Sequence, residues 1–136
     1  MKLFFILATL LLLTSCADNK PSVLFEKTIQ SKQAQFKVQF ILESGPTAQS
    51  FSSVKILFYD KKGLPLNDIK DITFIPFMPS HGHGTSIEDQ VITTGHSPNE
   101  FIVTNVFFVM GGSWVITLTA KTAGISDSAE VSVDVP

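Results

Sequence analysis

The sequence contains no arginine, and its twelve acidic side chains outnumber its ten lysines, which leaves a formal net charge of −2. Proteins that recognise nucleic acids or phosphate groups depend on clustered arginine and lysine side chains. The composition therefore argues against a nucleic-acid partner. The chain is nevertheless rich in Phe, Val and Ile, and it is long enough to build the core of one domain.

Cysteine is equally scarce, because Cys16 is the only one and no intramolecular disulfide can form. It follows a positive start at Lys2, an apolar run from Leu3 to Leu13 that is too short to span a bilayer, and the small residues Thr14 and Ser15. This order resembles the lipobox of bacterial lipoproteins, in which the cysteine is lipidated and becomes the mature N-terminus. The alternative is a plain secretory signal followed by an incidental cysteine.

On the lipobox interpretation, residues 1–15 are a lipoprotein signal peptide and residues 16–22 are a tether. Acyl chains such as palmitate on Cys16 would then anchor the domain to a membrane on its extracytoplasmic face. The sequence leaves open whether that is the periplasm-facing side of the inner or of the outer membrane.

Residues 23–136 lack a helical pattern and show apolar residues at every second position between turn residues, which is typical of half-buried strands. About seven strands at short spacing predict an all-β domain, an immunoglobulin-like antiparallel β-sandwich. Barrel topologies stay open. The predicted strands cover 23–29, 34–42, 54–59, 71–77, 100–110, 113–121 and 129–135, with a short further one at 91–93.

No signature of an enzyme stands out. The chain has no strand–turn–helix nucleophile elbow and no Gly-rich phosphate loop, and its one cysteine is assigned to the lipid. A catalytic triad built from its histidines and serines is conceivable, but nothing in their spacing favours one. We therefore expect a protein that is not an enzyme.

The stretch Met78-Pro79-Ser80-His81-Gly82-His83-Gly84-Thr85 is the strongest candidate for chemistry. Imidazole suits copper and zinc, and thioether is a soft ligand that selects Cu(I). In an extended segment the two histidines would point to the same side, because side chains alternate along a strand. We therefore predict a metal site, most plausibly for copper, with His81 and His83 as primary ligands and Met78 as a thioether ligand.

Other residues are weaker candidates for the same site. Met110 would join it if the strand that ends there lies beside the loop, and His96 is a lesser candidate. Glu88 and Asp89 keep Cu(II) or zinc open as alternatives. The competing interpretations are structural: a solvated glycine turn, a methionine at 110 that fills a gap in the core, an exposed and idle His96, and a core tryptophan at Trp114.

Two segments together resemble the YtkA-like domain family, which is related to FixH-like proteins. The first is Met78-Pro79-Ser80-His81-Gly82-His83-Gly84, and the second runs from Phe107 through Met110-Gly111-Gly112-Ser113-Trp114, after an aromatic-led strand at 99–103. The matching positions are Met78, His81, His83, Met110 and Trp114. The chain departs from the family in one extra glycine before Ser113-Trp114 and in lacking the transmembrane helix of FixH-like proteins.

The resemblance implies an extracytoplasmic β-sandwich, often membrane-anchored, associated with copper handling or oxidase assembly, and not an enzyme. We accordingly expect a membrane-anchored copper-binding module, a chaperone or a buffer, with copper-handling or oxidase-assembly proteins as partners. The alternative is a structural or interaction module of the envelope without a metal. In that case Phe77, Met78 and Trp114 would matter more than the imidazoles.

Overall fold

The computed structural model describes residues 25–136, and in this part of the chain it contains nine β-strands and no helix, hence no helix able to cross a membrane. Cys16, the signal segment 1–15 and the tether 16–22 lie outside the described residues. The strands are β1 (Phe25–Gln30), β2 (Lys37–Leu42), β3 (Phe51–Tyr59), β4 (Lys70–Met78), β5 (His83–Gly84), β6 (Val91–Thr94), β7 (Glu100–Phe107), β8 (Gly112–Thr122) and β9 (Ile125–Val135).

These strands form two antiparallel sheets, one in the order β1-β2-β3-β7-β6 and the other in the order β5-β4-β8-β9. The all-β sandwich predicted from the alternation is confirmed. The predicted count of about seven strands is wrong, since the structure has nine in the described residues. The short strand predicted at 91–93 corresponds to β6, whereas β5 has only two residues and carries too little alternation to be recognised.

The core lies between the sheets and is built from alternate residues of the long strands. In β8, Trp114, Ile116, Leu118 and Ala120 are all completely buried, as the period-two pattern predicts. Each large apolar side chain contributes about 1.5–3 kcal/mol when it is buried. The other large, fully buried side chains are Phe36, Phe40, Phe58, Phe74, Phe108, Leu42, Ile56, Met78 and Val38.

The strand β7 departs from simple alternation at Asn105, whose backbone has a φ of 58°. Val103 and Val106 both face the core, and they pair with Val54 and Ser52 of β3. Two residues of β7 but only one of β3 lie between these two pairs, which defines a β-bulge. The bulge turns Phe107 away from the core, and its ring packs on that of Phe51 at a centroid distance of 5.4 Å. The apolar run that predicts a strand over 100–110 therefore stops being a strand at Phe107.

A buried carboxylate fixes the loop between β1 and β2. Asp127, at the start of β9, is 4% exposed and accepts hydrogen bonds from the backbone N–H groups of Gln33, Gln35 and Ser128 at 2.8–3.2 Å. Burial by itself raises the pKa of Asp127, but hydrogen bonds from Ser31 and from these three N–H groups outweigh it and hold the pKa below its usual value. The loop is therefore held by a charged group that needs to stay ionised.

The two ends of the sandwich differ in the strands that begin and finish there. At one end β4 and β7 finish and β8 begins; we call this the histidine end because His81 and His83 lie there. The opposite end carries the β8–β9 turn and the β6–β7 turn, which contains His96. The strand β1 starts at Phe25, which pairs with Leu42, so the chain enters the domain at the histidine end.

Candidate metal-binding loop

The loop that carries the two histidines is a tight hairpin between β4 and β5. The carbonyl oxygen of Met78 accepts hydrogen bonds from the N–H groups of His81 at 3.2 Å and Gly82 at 3.0 Å. Gly82 has a φ of 65°, a conformation that glycine adopts without steric cost. The chain then turns back, and His83 pairs with Met78 across the hairpin. The Pro-x-x-Gly spacing thus closes the turn and brings the second histidine back beside the first methionine.

His83 lies on the inner face of the four-stranded sheet. It pairs with Met78, and the register of β4 on β8, continued by one residue, places Met78 next to Trp114. The His83 ring meets the Trp114 ring edge-on, with centroids 6.0 Å apart at 70°. We call His83, Met78 and Trp114 the histidine row. Because Met78 and Trp114 are buried, the half-exposed His83 ring rests on a packed base.

One nitrogen of His83 already has a partner. Its Nδ1 lies 3.2 Å from the carbonyl oxygen of Gly84. A carbonyl can only accept, so this contact favours the tautomer with the proton on Nδ1 and leaves the Nε2 lone pair available. Histidine ligands in metal sites commonly have their second nitrogen satisfied in this way. The position of Gly84 is also restricted, since an added Cβ would stand 2.9 Å from the Pro76 carbonyl oxygen.

His81 is exposed in the turn, and its ring lies close to that of His83. The two centroids are 5.8 Å apart and the rings are inclined at 52°. With metal–nitrogen bonds of about 2.0–2.1 Å, two imidazoles that share one ion have centroids about 5–6.5 Å apart, depending on the bond angle. The separation in this structure therefore fits two imidazoles on one ion.

The two sequence segments meet at Trp114. Its indole Nε1 donates a hydrogen bond to the carbonyl oxygen of Met110 at 3.1 Å, and Met110 itself is partly buried against the core. Gly112, between them, has a φ of 127°, and an added Cβ would stand 3.1 Å from Cε of Met78. The segment from Met110 to Trp114 thus forms the wall against which Met78 and His83 pack.

The structure does not bring the remaining sequence candidates to the loop. His96 lies in the β6–β7 turn at the opposite end, where its N–H faces Oε1 of Glu100 at 3.4 Å. Glu88 and Asp89 are exposed in the connection between β5 and β6. Within residues 25–136, no three side chains of His, Cys, Asp or Glu come close enough together to hold one metal ion. A metal at this loop would therefore have His81 and His83 as its imidazoles, with sulfur or external ligands as the rest.

Charge is distributed unevenly between the two ends. Lys55, towards the histidine end, is paired with Glu43 at 2.7 Å. The acidic residues at the histidine end include Glu43, Glu88, Asp89 and Asp134. Most lysines of the described residues lie at the opposite end: Lys32, Lys37, Lys61, Lys62, Lys70 and Lys121. The histidine end is therefore net negative, which favours cations there.

The family model that matches this chain is described as YtkA-like, and it covers residues 30–119, about two thirds of the sequence. The chain belongs to the YtkA-like family. The matched region contains β2 to β7 and most of β8, but only the last residue of β1 and none of β9. It includes the whole histidine row, His81 and Met110. No curated protein matches the chain.

Proposed function

We propose that this YtkA-like module binds copper at the histidine end and carries or buffers it. The observation that supports the proposal is the pair of imidazole rings 5.8 Å apart on the hairpin, with a thioether side chain in register with one of them. Copper is the cargo of such a module, so no catalytic step is involved. The net negative end would favour capture of the cation.

The donor set favours copper over zinc. Structural zinc sites are closed by four ligands, usually with thiolates, whereas in the described residues no third His, Cys, Asp or Glu joins the two imidazoles, and the candidate further donors are the thioethers of Met78 and Met110. Imidazole with thioether suits Cu(I), and a site with few protein ligands leaves positions through which a partner can take the ion. Met78, which pairs with His83 across the hairpin, is 1% exposed, so its thioether is shielded from solvent.

The test is a competition titration of the full chain with Cu(I) in the presence of a chelator. The double variant His81→Ala/His83→Ala is expected to lose at least about a hundredfold in affinity, because both imidazoles are removed. His96→Ala is the matched control, since that histidine lies at the opposite end. Equal affinity of the double variant and the wild type would refute the site.

A thermal scan supplies an independent measurement. A ligand that binds only the folded state raises the melting temperature with its concentration. Copper is expected to raise Tm in the wild type and in His96→Ala and to leave the double variant unchanged.

We further propose that Cys16 is lipidated and that the domain works on an extracytoplasmic membrane face. The support is the lipobox-like sequence together with the position of Phe25, which starts β1 at the histidine end. Residues 16–24 extended to about 3.3–3.6 Å each would reach about 30 Å. Phe25, at the histidine end, would then lie within about that distance of the membrane, and the domain would work near membrane proteins that handle the metal.

The alternative function, an interaction module without a metal, is supported by Phe77, whose side chain is 41% exposed beside the loop. Met78 and Trp114 are fully buried and offer no surface to a partner. The same thermal scan separates the two functions, because an interaction module predicts no shift of Tm with copper.

A further inference from the structure

A second feature of the histidine end is a small pocket on the outer side of the five-stranded sheet, with a volume of about 150 Å³. Two phenyl rings form one wall, and hydroxyl, amide and carboxylate groups form the other. We call it the aromatic pocket. It is lined by Phe51, Thr85, Ser86, Asp89, Asn105 and Phe107.

Two hydrogen bonds to backbone carbonyl oxygens hold the walls of the pocket together. Gln49 donates its N–H to the carbonyl oxygen of Phe108 at 2.8 Å, which ties the start of β3 to the end of β7. The bulge residue Asn105 donates its side-chain Nδ2 to the carbonyl oxygen of Asp89 at 2.9 Å, which ties the β5–β6 connection to β7. Bulges commonly re-aim side chains next to functional sites. The pocket is therefore formed before any ligand arrives.

Its chemistry suits a cation with a flat apolar surface. Phe51 is 66% exposed, and its ring is tilted at 55° to that of Phe107. Aromatic faces attract lysine and arginine side chains, and guanidinium groups also stack on them. Asp89 supplies a negative charge and forms no ion pair within the described residues. A volume of about five water molecules at about 30 Å³ each accommodates a guanidinium group.

We propose that the aromatic pocket receives an arginine or lysine side chain of a protein partner that docks on the histidine end. The net negative charge of this end complements a basic partner and repels an anionic lipid surface. The pocket is continuous with the copper loop in the chain, because Thr85 and Ser86 directly follow Gly84. The docking does not depend on the metal.

The experiment uses arginine amide as the probe, with citrulline amide as the analogue whose side chain has the same shape and no charge. Each is titrated into the ¹⁵N-labelled full chain in non-ionic detergent, without metal, and backbone amide shifts are followed. We expect shifts confined to the pocket residues and a Kd of about 1–10 mM for arginine amide, with binding of citrulline amide weaker by about fivefold or more.

Variants assign the binding to the pocket. Asp89→Asn and Phe51→Ser are each expected to weaken binding of arginine amide by about fivefold or more. Glu88→Gln and Phe77→Ser are the matched controls, because they remove the same charge and an exposed phenyl ring outside the pocket. Asp89 is exposed, so Asp89→Asn keeps the test valid even if Phe51→Ser disturbs folding.

Three outcomes would overturn the proposal. The first is equal binding of arginine amide and citrulline amide. The second is an equal loss of affinity for arginine amide in Glu88→Gln and Asp89→Asn, which would indicate only a general electrostatic attraction to this end of the protein. The third is no response to arginine amide together with binding to phosphatidylcholine vesicles that Phe51→Ser abolishes, which would assign the surface to lipid. Unchanged probe binding in His81→Ala/His83→Ala is expected and separates this result from the copper proposal.

Discussion

Replacing Gly112 by alanine tests whether the wall around Met78 is as tight as the structure indicates. The added Cβ would stand 3.1 Å from Cε of Met78, closer than the roughly 3.5–4.0 Å that carbon atoms prefer. The residue also has a φ of 127°, which L-amino acids rarely adopt. Alanine at this position is therefore expected to lower the stability in two ways, by overpacking against Met78 and by backbone strain.

Gly124→Ala separates these two costs. Gly124 has a φ of 80°, and an added Cβ would meet no atom within 4 Å, so its substitution costs only backbone strain. That strain is worth about 1–2 kcal/mol, offset in part by the lower entropy of the unfolded chain. Gly112→Ala adds overpacking against a buried side chain, which typically costs about 1–3 kcal/mol. We expect the free energy of unfolding to fall by about 2–4 kcal/mol for Gly112→Ala and about 1 kcal/mol for Gly124→Ala.

Urea unfolding followed by tryptophan fluorescence measures both variants. Met78→Leu provides the second arm, because leucine lacks the terminal methyl group and conserves volume. In that background the penalty of Gly112→Ala is expected to lose its overpacking part, about 1–3 kcal/mol, and to keep the backbone strain at a φ of 127°. Equal stability of the two single variants, or an undiminished penalty with Met78→Leu, would show that Met78 does not pack against Gly112.

Three further predictions concern the fold, the histidine row and the anchor. Asp127→Asn is expected to lower the free energy of unfolding by about 2–4 kcal/mol near neutral pH, because an amide cannot accept all the N–H groups that the carboxylate accepts. Because the folded-state pKa of Asp127 is lowered, the extra stability of the wild type over Asp127→Asn is fully present above the unfolded pKa of 3.8. It is lost as the pH falls through the folded-state pKa, so the free energies of unfolding of the two proteins should converge in acid. Trp114→Phe should lose the bond to Met110 and the edge contact with His83, costing about 1–3 kcal/mol in urea unfolding followed by circular dichroism and weakening Cu(I) binding in the chelator assay. Cys16→Ser should abolish labelling by an alkyne-tagged fatty acid and release the protein from membranes.

The sequence was sufficient for the fold wherever strands are long and regular. Alternation located the buried residues of β8 and β9, because each strand has one face on the core over its whole length. The alternation pattern failed after Asn105, where a β-bulge with a positive φ adds one residue to β7 and turns Phe107 away from the core. No composition signal marks such a bulge, since Asn is only one of several residues that adopt this conformation.

The candidate site was predicted in part. His81 and His83 do lie close together, but the reason differs from the one inferred from an extended segment, because His81 is in the turn and only His83 is in a strand. His96 is near them in sequence, yet the chain runs from the histidine end through the β5–β6 connection and β6 before it reaches the β6–β7 turn at the opposite end. The aromatic pocket was missed, since Phe51 and Asp89 come together only through the pairing of β3 with β7 and the hydrogen bond from Asn105 to the Asp89 carbonyl oxygen.

If the loop binds copper as proposed, the histidine row links its copper affinity to the stability of the sandwich. Met78 and Trp114 are fully buried, so any substitution that loosens their packing also removes the base on which the His83 ring rests. A substitution at the opposite end, such as Asp127→Asn, changes stability without touching this base. Gly112→Ala should therefore weaken copper binding even under conditions where the protein is fully folded, whereas Asp127→Asn of similar stability should not. If both variants bind copper with the affinity of the wild type, the two imidazoles act alone and the buried residues beneath them serve only the core.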